Sequence, residues 1–298
     1  MYHTTMSTTV KLKEAVVVIT GASRGIGVSI AHSFAKAGSS LCLIARSAPE
    51  LEALAQELTR EYKISIEIWT ADISDIAQVV NVAHEIEARY GRVDVIVNNA
   101  GIIQFDLVEN VEVQDWWRVM EVNLLGPVAL TRALLPCMLE QGAGTIISIG
   151  SRLCGGSAKY LSAYACSKTA LMQFHQCLHR EVWARGISTF VVQPGNVDTH
   201  ILAAPGAVNP NRVSEDAELS RRVQVLKDTS TCDPRVTGDL CVTLASLPEA
   251  RVLSGLYIDA EQSLDDIFED ISVSGKGLIQ QHELYQLKIL KLADVDGQ

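Results

Sequence analysis

Residues 15–27 constrain this chain more than any other stretch. Ala15 to Thr20 (AVVVIT) is a short, mostly β-branched run that stops at Gly21. After Gly27 the apolar positions switch to helical spacing at Ile30, Phe34 and Ala35. Strand, glycine turn and helix in that order open an α/β fold. In the turn TGASRGIG, Gly21, Gly25 and Gly27 remove side chains where a backbone must approach a pyrophosphate, whose charge then sits on a helix N-terminus. Ser23, Arg24 and Ile26 fill the rest of the turn. The spacing is GxxxGxG, unlike the GxGxxG of the long-chain dinucleotide fold. A glycine-rich turn can also be a plain tight connection, so the reading needs support from the rest of the chain.

That support is an alternation of strand and helix. Leu41 to Ala45, Ile64 to Trp69, Val93 to Val97, Thr145 to Ile149 and Ile187 to Val192 read as strands. Helices fall at Ile76 to Tyr90, into Val119 to Leu130, and from Ala163 to Ala184. This order predicts a doubly wound parallel sheet of Rossmann type in a three-layer αβα sandwich, with ligands at the carboxyl ends of the strands. Asp72, Asn98 to Gly101, Ser151 and Pro194 with Gly195 follow predicted strands and would meet on that edge. No linker divides the 298 residues. We expect a tail over 1–12, a single dinucleotide-binding and catalytic domain over 13–260, and an extension over 261–298.

At the end of the second strand an NAD-specific protein normally places an acid for the ribose 2′-hydroxyl. Here stand Ala45 and Arg46. Arg46 and Arg24 could clamp a 2′-phosphate, a contact that suits guanidinium groups, although both could also be solvated charges. The expectation is NADP(H) over NAD(H).

Ser151 to Lys168 reads SRLCGGSAKYLSAYACSK. Tyr164 and Lys168 lie four residues apart on a predicted helix and share a face. An ordinary tyrosine titrates near ~10, so proton transfer close to neutrality means moving it by about 3 pH units, or about 4 kcal/mol. A fixed ammonium and a cofactor charge could supply that. Tyr160, in the same window, has Tyr164 and not a lysine four residues on. Ser151 ends a predicted strand, which brings a hydroxyl to the same edge. Ser148 is a rival for that role.

A net charge of −10 and a pI near 5.2 argue against nucleic acid or an anionic membrane as partner. The seven cysteines are scattered without a CxxC pair, as expected of reduced thiols in the cytoplasm. No secretory signal is visible, and no run approaches ~18 apolar residues. His175 and His179 have i,i+4 spacing but no third ligand, so no metal is expected. Trp116 and Trp117 read as packing or oligomer contacts.

With TGASRGIG, NNAG at Asn98 to Gly101, Asn123 in VNLLG, Ser151, YACSK and QPGNVDT at Gln193 to Thr199, the chain resembles the short-chain dehydrogenase/reductase family over Lys13 to about Ala260. The resemblance implies that Asp72 holds the adenine amino group, and that Asn99, Ala100 and Gly101 support the adenosine side. It also implies that Pro194, Gly195, Val197 and Thr199 line the nicotinamide, with Thr199 on its carboxamide. Tyr164 would be the general acid or base and would also contact the cofactor, Ser151 would bind the substrate oxygen, and Lys168 would bind the nicotinamide ribose and depress the tyrosine. Asn123 would hold a water joining Lys168 to solvent. About 198–235 would be a lid over the substrate. Relatives of this kind assemble as homodimers or homotetramers. Leu253 to Leu292 resembles the end of filamentous-fungal members, many of them enzymes of secondary metabolism.

The leading expectation is an NADP(H)-dependent oxidoreductase interconverting a ketone or aldehyde and its alcohol on a small organic metabolite, a secondary metabolite being what the fungal resemblance implies. Oxidation in a biosynthetic pathway uses the same residues in reversed roles. A non-catalytic NADP-sensing protein is the reading from another class.

Overall fold

The computed structural model of the chain describes residues 12–197, 201–202, 204, 206–228 and 232–272. The first part runs β1 Val16–Thr20, α1 Ile26–Lys36, β2 Ser40–Ala45, α2 Ala48–Tyr62, β3 Ile66–Thr70 and α3 Ile76–Tyr90. Then come β4 Val95–Asn98, α4 Val113–Met120, a π-turn Glu121–Leu125, α5 Gly126–Gln141 and β5 Gly144–Ile149. A 3-10 turn Arg152–Cys154 leads into α6 Ser162–Val182 and β6 Ile187–Gln193. The last elements are α7 Pro210–Glu215, α8 Ala217–Asp228, α9 Pro234–Ser246, β7 Tyr257–Asp259 and α10 Leu264–Ser272.

The strands form a seven-stranded sheet in the order β3-β2-β1-β4-β5-β6-β7. Every pair is parallel. The chain moves outward from β1 to β3 and then returns to the other side of β1, so β1 and β4 flank the point where the winding reverses. Crossovers on either side part there and leave a crevice at the carboxyl ends.

Successive side chains of a strand face opposite ways, and β1 divides two cores accordingly. Val17 and Ile19 enter one core with Phe34 of α1, Leu51 and Leu58 of α2, and Leu240 of α9. Val16 and Val18 enter the other with Ile86 of α3 and Leu130 and Met138 of α5. Strands covered on both faces read as continuous apolar runs, which is why they were legible. The expected doubly wound α/β sandwich is what forms.

Several elements lie beyond that reading. Helix α2 buries only Leu51, Leu54 and Leu58 in an otherwise polar segment. Helix α8 buries only Leu219 and Val223, too few positions to announce a period from sequence. The extension expected from 261 begins as α10, whose Ile267 is buried against the first core. Residues 273–298 are outside the described residues.

The helix expected through Val119 to Leu130 is part of a longer run, Val113–Gln141. It is long and apolar enough by composition to cross a membrane, which the sequence reading did not anticipate, but half of its most apolar window is buried inside the fold. Leu130, Leu134 and Met138 are fully buried, as in the core helix of a globular sheet protein.

Candidate active site

The carboxyl edge opens into a cleft of about 1060 Å³. At one end the glycine turn is held by Asn99, whose side-chain amide donates to the carbonyls of Thr20 (2.9 Å) and Gly21 (3.1 Å). The N–H groups of Asn99 and Ala100 donate to the Thr20 hydroxyl at 3.0 and 3.1 Å. Gly21 and Gly25 have φ of +66° and +59°, backbone that favours glycine. A Cβ at Gly27 would lie 2.2 Å from the Gly21 carbonyl oxygen, so this turn admits no side chain. Gly25 caps α1 without a side-chain hydrogen bond. Free N–H groups at a helix start, beside a turn stripped of side chains, are what a pyrophosphate requires. The donor set therefore fits a dinucleotide.

Ser23, Arg24, Gly25 and Ile26 line this end, with Arg46 opposite. Both arginines are exposed. Glu50 also lines the cleft here, but it accepts a close hydrogen bond from Ser47. Asp72 lines the cleft and is already engaged, with Arg118 Nη2 at 2.6 Å and Ser74 Oγ at 2.7 Å. Partial burial pushes the Asp72 carboxyl up, but hydrogen bonds from Ser74 and Arg118 outweigh it and hold the group below the ordinary carboxylate range.

Ser151, Tyr164 and Lys168 line the middle of the cleft. Ser151 leaves β5 in extended backbone and caps the 3-10 turn, its Oγ accepting from the Leu153 N–H at 3.2 Å. Lys168 is buried one helical turn beyond Tyr164, with Nζ 5.7 Å from the Tyr164 ring centre. It donates to the Ile149 carbonyl at 2.7 Å. Burial lowers the Lys168 ammonium to about 8. Burial raises the Tyr164 phenol to about 12, with hydrogen bonding to Ser151 acting in the opposite direction. The depression of Tyr164 expected from Lys168 is thus not supplied by the protein alone, because desolvation outweighs the one opposing cause, the hydrogen bond to Ser151.

Asn123 sits in the π-turn with its side chain committed. Its Oδ1 accepts from the Ile102 N–H (2.8 Å), and its Nδ2 donates to the Ile102 carbonyl (2.9 Å) and to Ser167 Oγ (3.0 Å). The Gly126 N–H bonds to the Glu121 carbonyl, five residues back. The next residue, Pro127, has no N–H to offer the carbonyl of Val122 or of Asn123.

A family model described as short chain dehydrogenase matches residues 15–207. The chain belongs to this family. A short chain dehydrogenase of Pseudocercospora fijiensis is 35% identical over 94% of this chain and 90% of its own length. Short chain dehydrogenase pigC of Monascus ruber is 34% identical over 84% of this chain and 80% of its own. Among solved structures, the L-sorbose reductase of Gluconobacter frateurii in complex with NADPH and L-sorbose has a TM-score of 0.73. It is 25% identical and covers 84% of this chain and 96% of its own. A Beutenbergia cavernae protein assigned as an NAD(P)-dependent gluconate 5-dehydrogenase, solved with NADP, has a TM-score of 0.72 at 32% identity, over 84% of this chain and 96% of its own.

Within this short chain dehydrogenase fold the remaining sequence-stated positions divide clearly. Pro194, Gly195 and Val197 line the cleft, and Gly195 has φ +77°. Thr199 lies outside the described residues. Ser148 is fully buried on β5, bonded to His175 Nε2 at 2.6 Å and Asn98 Nδ2 at 3.4 Å, so it does not reach the cleft. His175 and His179 serve different neighbours, His179 Nδ1 meeting Ser254 Oγ at 2.9 Å. Sequence reasoning missed Arg118, whose helix is far from Asp72 in sequence, and Pro127, whose effect is the absence of a donor. It also missed the cleft-lining face of α8.

Proposed function

We propose that this chain is an NADP(H)-dependent oxidoreductase that interconverts a ketone or aldehyde and its alcohol on a small organic metabolite, with reduction as the working direction. The observation that carries this is the convergence of Ser151, Tyr164 and Lys168 on one wall of the cleft that begins at the glycine turn. The bound dinucleotide supplies the hydride. Ser151 donates a hydrogen bond to the substrate oxygen and Tyr164 gives that oxygen its proton. A phenol that keeps its proton at neutral pH, as burial of Tyr164 favours, is suited to reduction. Lys168 presents its ammonium below the tyrosine and restores the proton through the Asn123 carbonyl and water. In the oxidative direction Tyr164 takes the proton instead.

Arg24 and Arg46 support the 2′-phosphate form, as do the NADPH and NADP held by the two structures above. The fungal relatives support a specialised, secondary-metabolic substrate. We read the site residues as those named from the sequence, and the working protein as a cytoplasmic homodimer or homotetramer. The test is titration of NADPH and NADH into the protein and into Arg46→Ala. NADPH preference of about tenfold or more, lost in the variant, is expected from one charge-assisted phosphate contact. Equal binding of both dinucleotides would overturn the cofactor assignment.

A further inference from the structure

Tyr160 is a non-glycine residue with φ +72°, left-handed backbone that a tyrosine rarely adopts, on the loop just before α6. Such strain persists only where the surroundings over-determine it, and here two segments do. The Tyr160 carbonyl accepts from the Asp106 N–H at 3.0 Å, in the loop after β4. The Tyr160 hydroxyl donates to Asp216 Oδ2 at 2.8 Å. The other oxygen of Asp216 caps α8, accepting from the N–H groups of Glu218 and Leu219, each at 3.0 Å. Next to it, Lys159 pairs with Glu218 at the rim.

The buried ring of Tyr160 belongs to a third apolar cluster with Phe105, Leu161, Leu219 and Val223, against which Tyr164 also packs. Those contacts seat the inner face of α8. Its other face, with Glu218, Arg222 and Val225, lines the cleft together with Tyr164 and Leu161. We propose that Tyr160 is a positioning residue, a clasp that holds the N-terminus of α8 over the substrate end of the cleft and so closes the chamber in front of Tyr164. The inference rests on the assignment of the cleft as the nicotinamide and carbonyl site. It adds a residue that touches neither cofactor nor reacting atoms, and it explains why a tyrosine occupies strained backbone. The Lys159–Glu218 pair is half exposed and contributes little by comparison.

The test compares full-length Tyr160→Phe with wild type by amide hydrogen exchange on peptides covering 217–228 and by the emission of bound NADPH. Loss of one hydrogen bond to a charged acceptor should speed exchange in α8 about fivefold or more while α1 and α3 stay unchanged. NADPH should bind with the same Kd but with weaker and red-shifted emission, because water reaches the nicotinamide. Asp216→Asn keeps the cap through Oδ1 and turns Nδ2 to the Tyr160 hydroxyl, whose oxygen then accepts in place of donating, so exchange in α8 should rise less than in Tyr160→Phe. Lys159→Ala should change neither readout. Wild-type exchange in α8 of Tyr160→Phe, or faster exchange with unchanged emission, would overturn the clasp. Failure of NADPH to bind wild type would sink the cofactor reading, while the exchange arm would still decide whether Tyr160 holds α8.

Discussion

At the scale of single residues, the protein sets the acid–base poise of the site by burial more than by pairing. Lys168 is lowered to about 8 and Tyr164 raised to about 12, so at neutral pH both keep their protons. Because the lysine lies below its ordinary value, it loses its charge as pH rises through about 8. Reduction should therefore hold steady below that pH and decline above it, as a pH profile of kcat/KM would record. Tyr164→Phe should lower turnover by about a thousandfold, the scale of a lost general acid, with a far smaller change in NADPH affinity. Undiminished turnover in that variant would overturn the assignment of Tyr164 as the general acid. Ser148 shows what sequence spacing could not settle. It and Ser151 are three residues apart, but strand alternation turns Ser148 into the core towards His175, while Ser151 lies past the strand end.

At the scale of elements, the glycine turn and the π-turn do opposite things with the backbone. The glycine turn offers donors and admits no Cβ, so Gly27→Ala should both destabilise the fold and weaken NADPH binding by about tenfold or more. Urea unfolding and cofactor titration of the same variant would measure the two effects, and a variant that binds NADPH normally would contradict the fit of this turn to a pyrophosphate. Pro127, just after the π-turn at Glu121–Leu125, has no N–H to offer the carbonyls of Val122 or Asn123. Gly126 lets that turn pass close to the loop after β3, since a Cβ there would meet the Ile73 carbonyl oxygen at 2.5 Å. Both devices are single residues that act only through the path of the main chain.

At the scale of the whole molecule, the outer face of α4 presents exposed apolar side chains. Val113 and Trp117 are 74% and 56% exposed, and Leu125 beyond them is 38% exposed. Apolar side chains grouped on one helical run are suited to a partner surface, in line with the proposed homo-oligomer. Trp117→Glu should shift sedimentation to the monomer without changing the fold by circular dichroism. Unchanged sedimentation as an oligomer would move the interface elsewhere, and a monomeric wild type would remove it.

The sequence by itself determined the class of fold and the order of the site, because both depend on short-range rules. Strands buried on both faces must be continuous apolar runs, a turn against phosphate must be glycine, and a tyrosine four residues before a lysine must share its helical face. Tertiary structure alone decided which charges are already spent and which helices cover the cleft. Arg118 reaches Asp72, and Tyr160 reaches Asp216, across 46 and 56 positions of sequence. Helix α8 has two buried residues and takes its place from the cluster it docks against. Such contacts carry no local period, since they arise only when distant segments are brought to the same edge of the sheet.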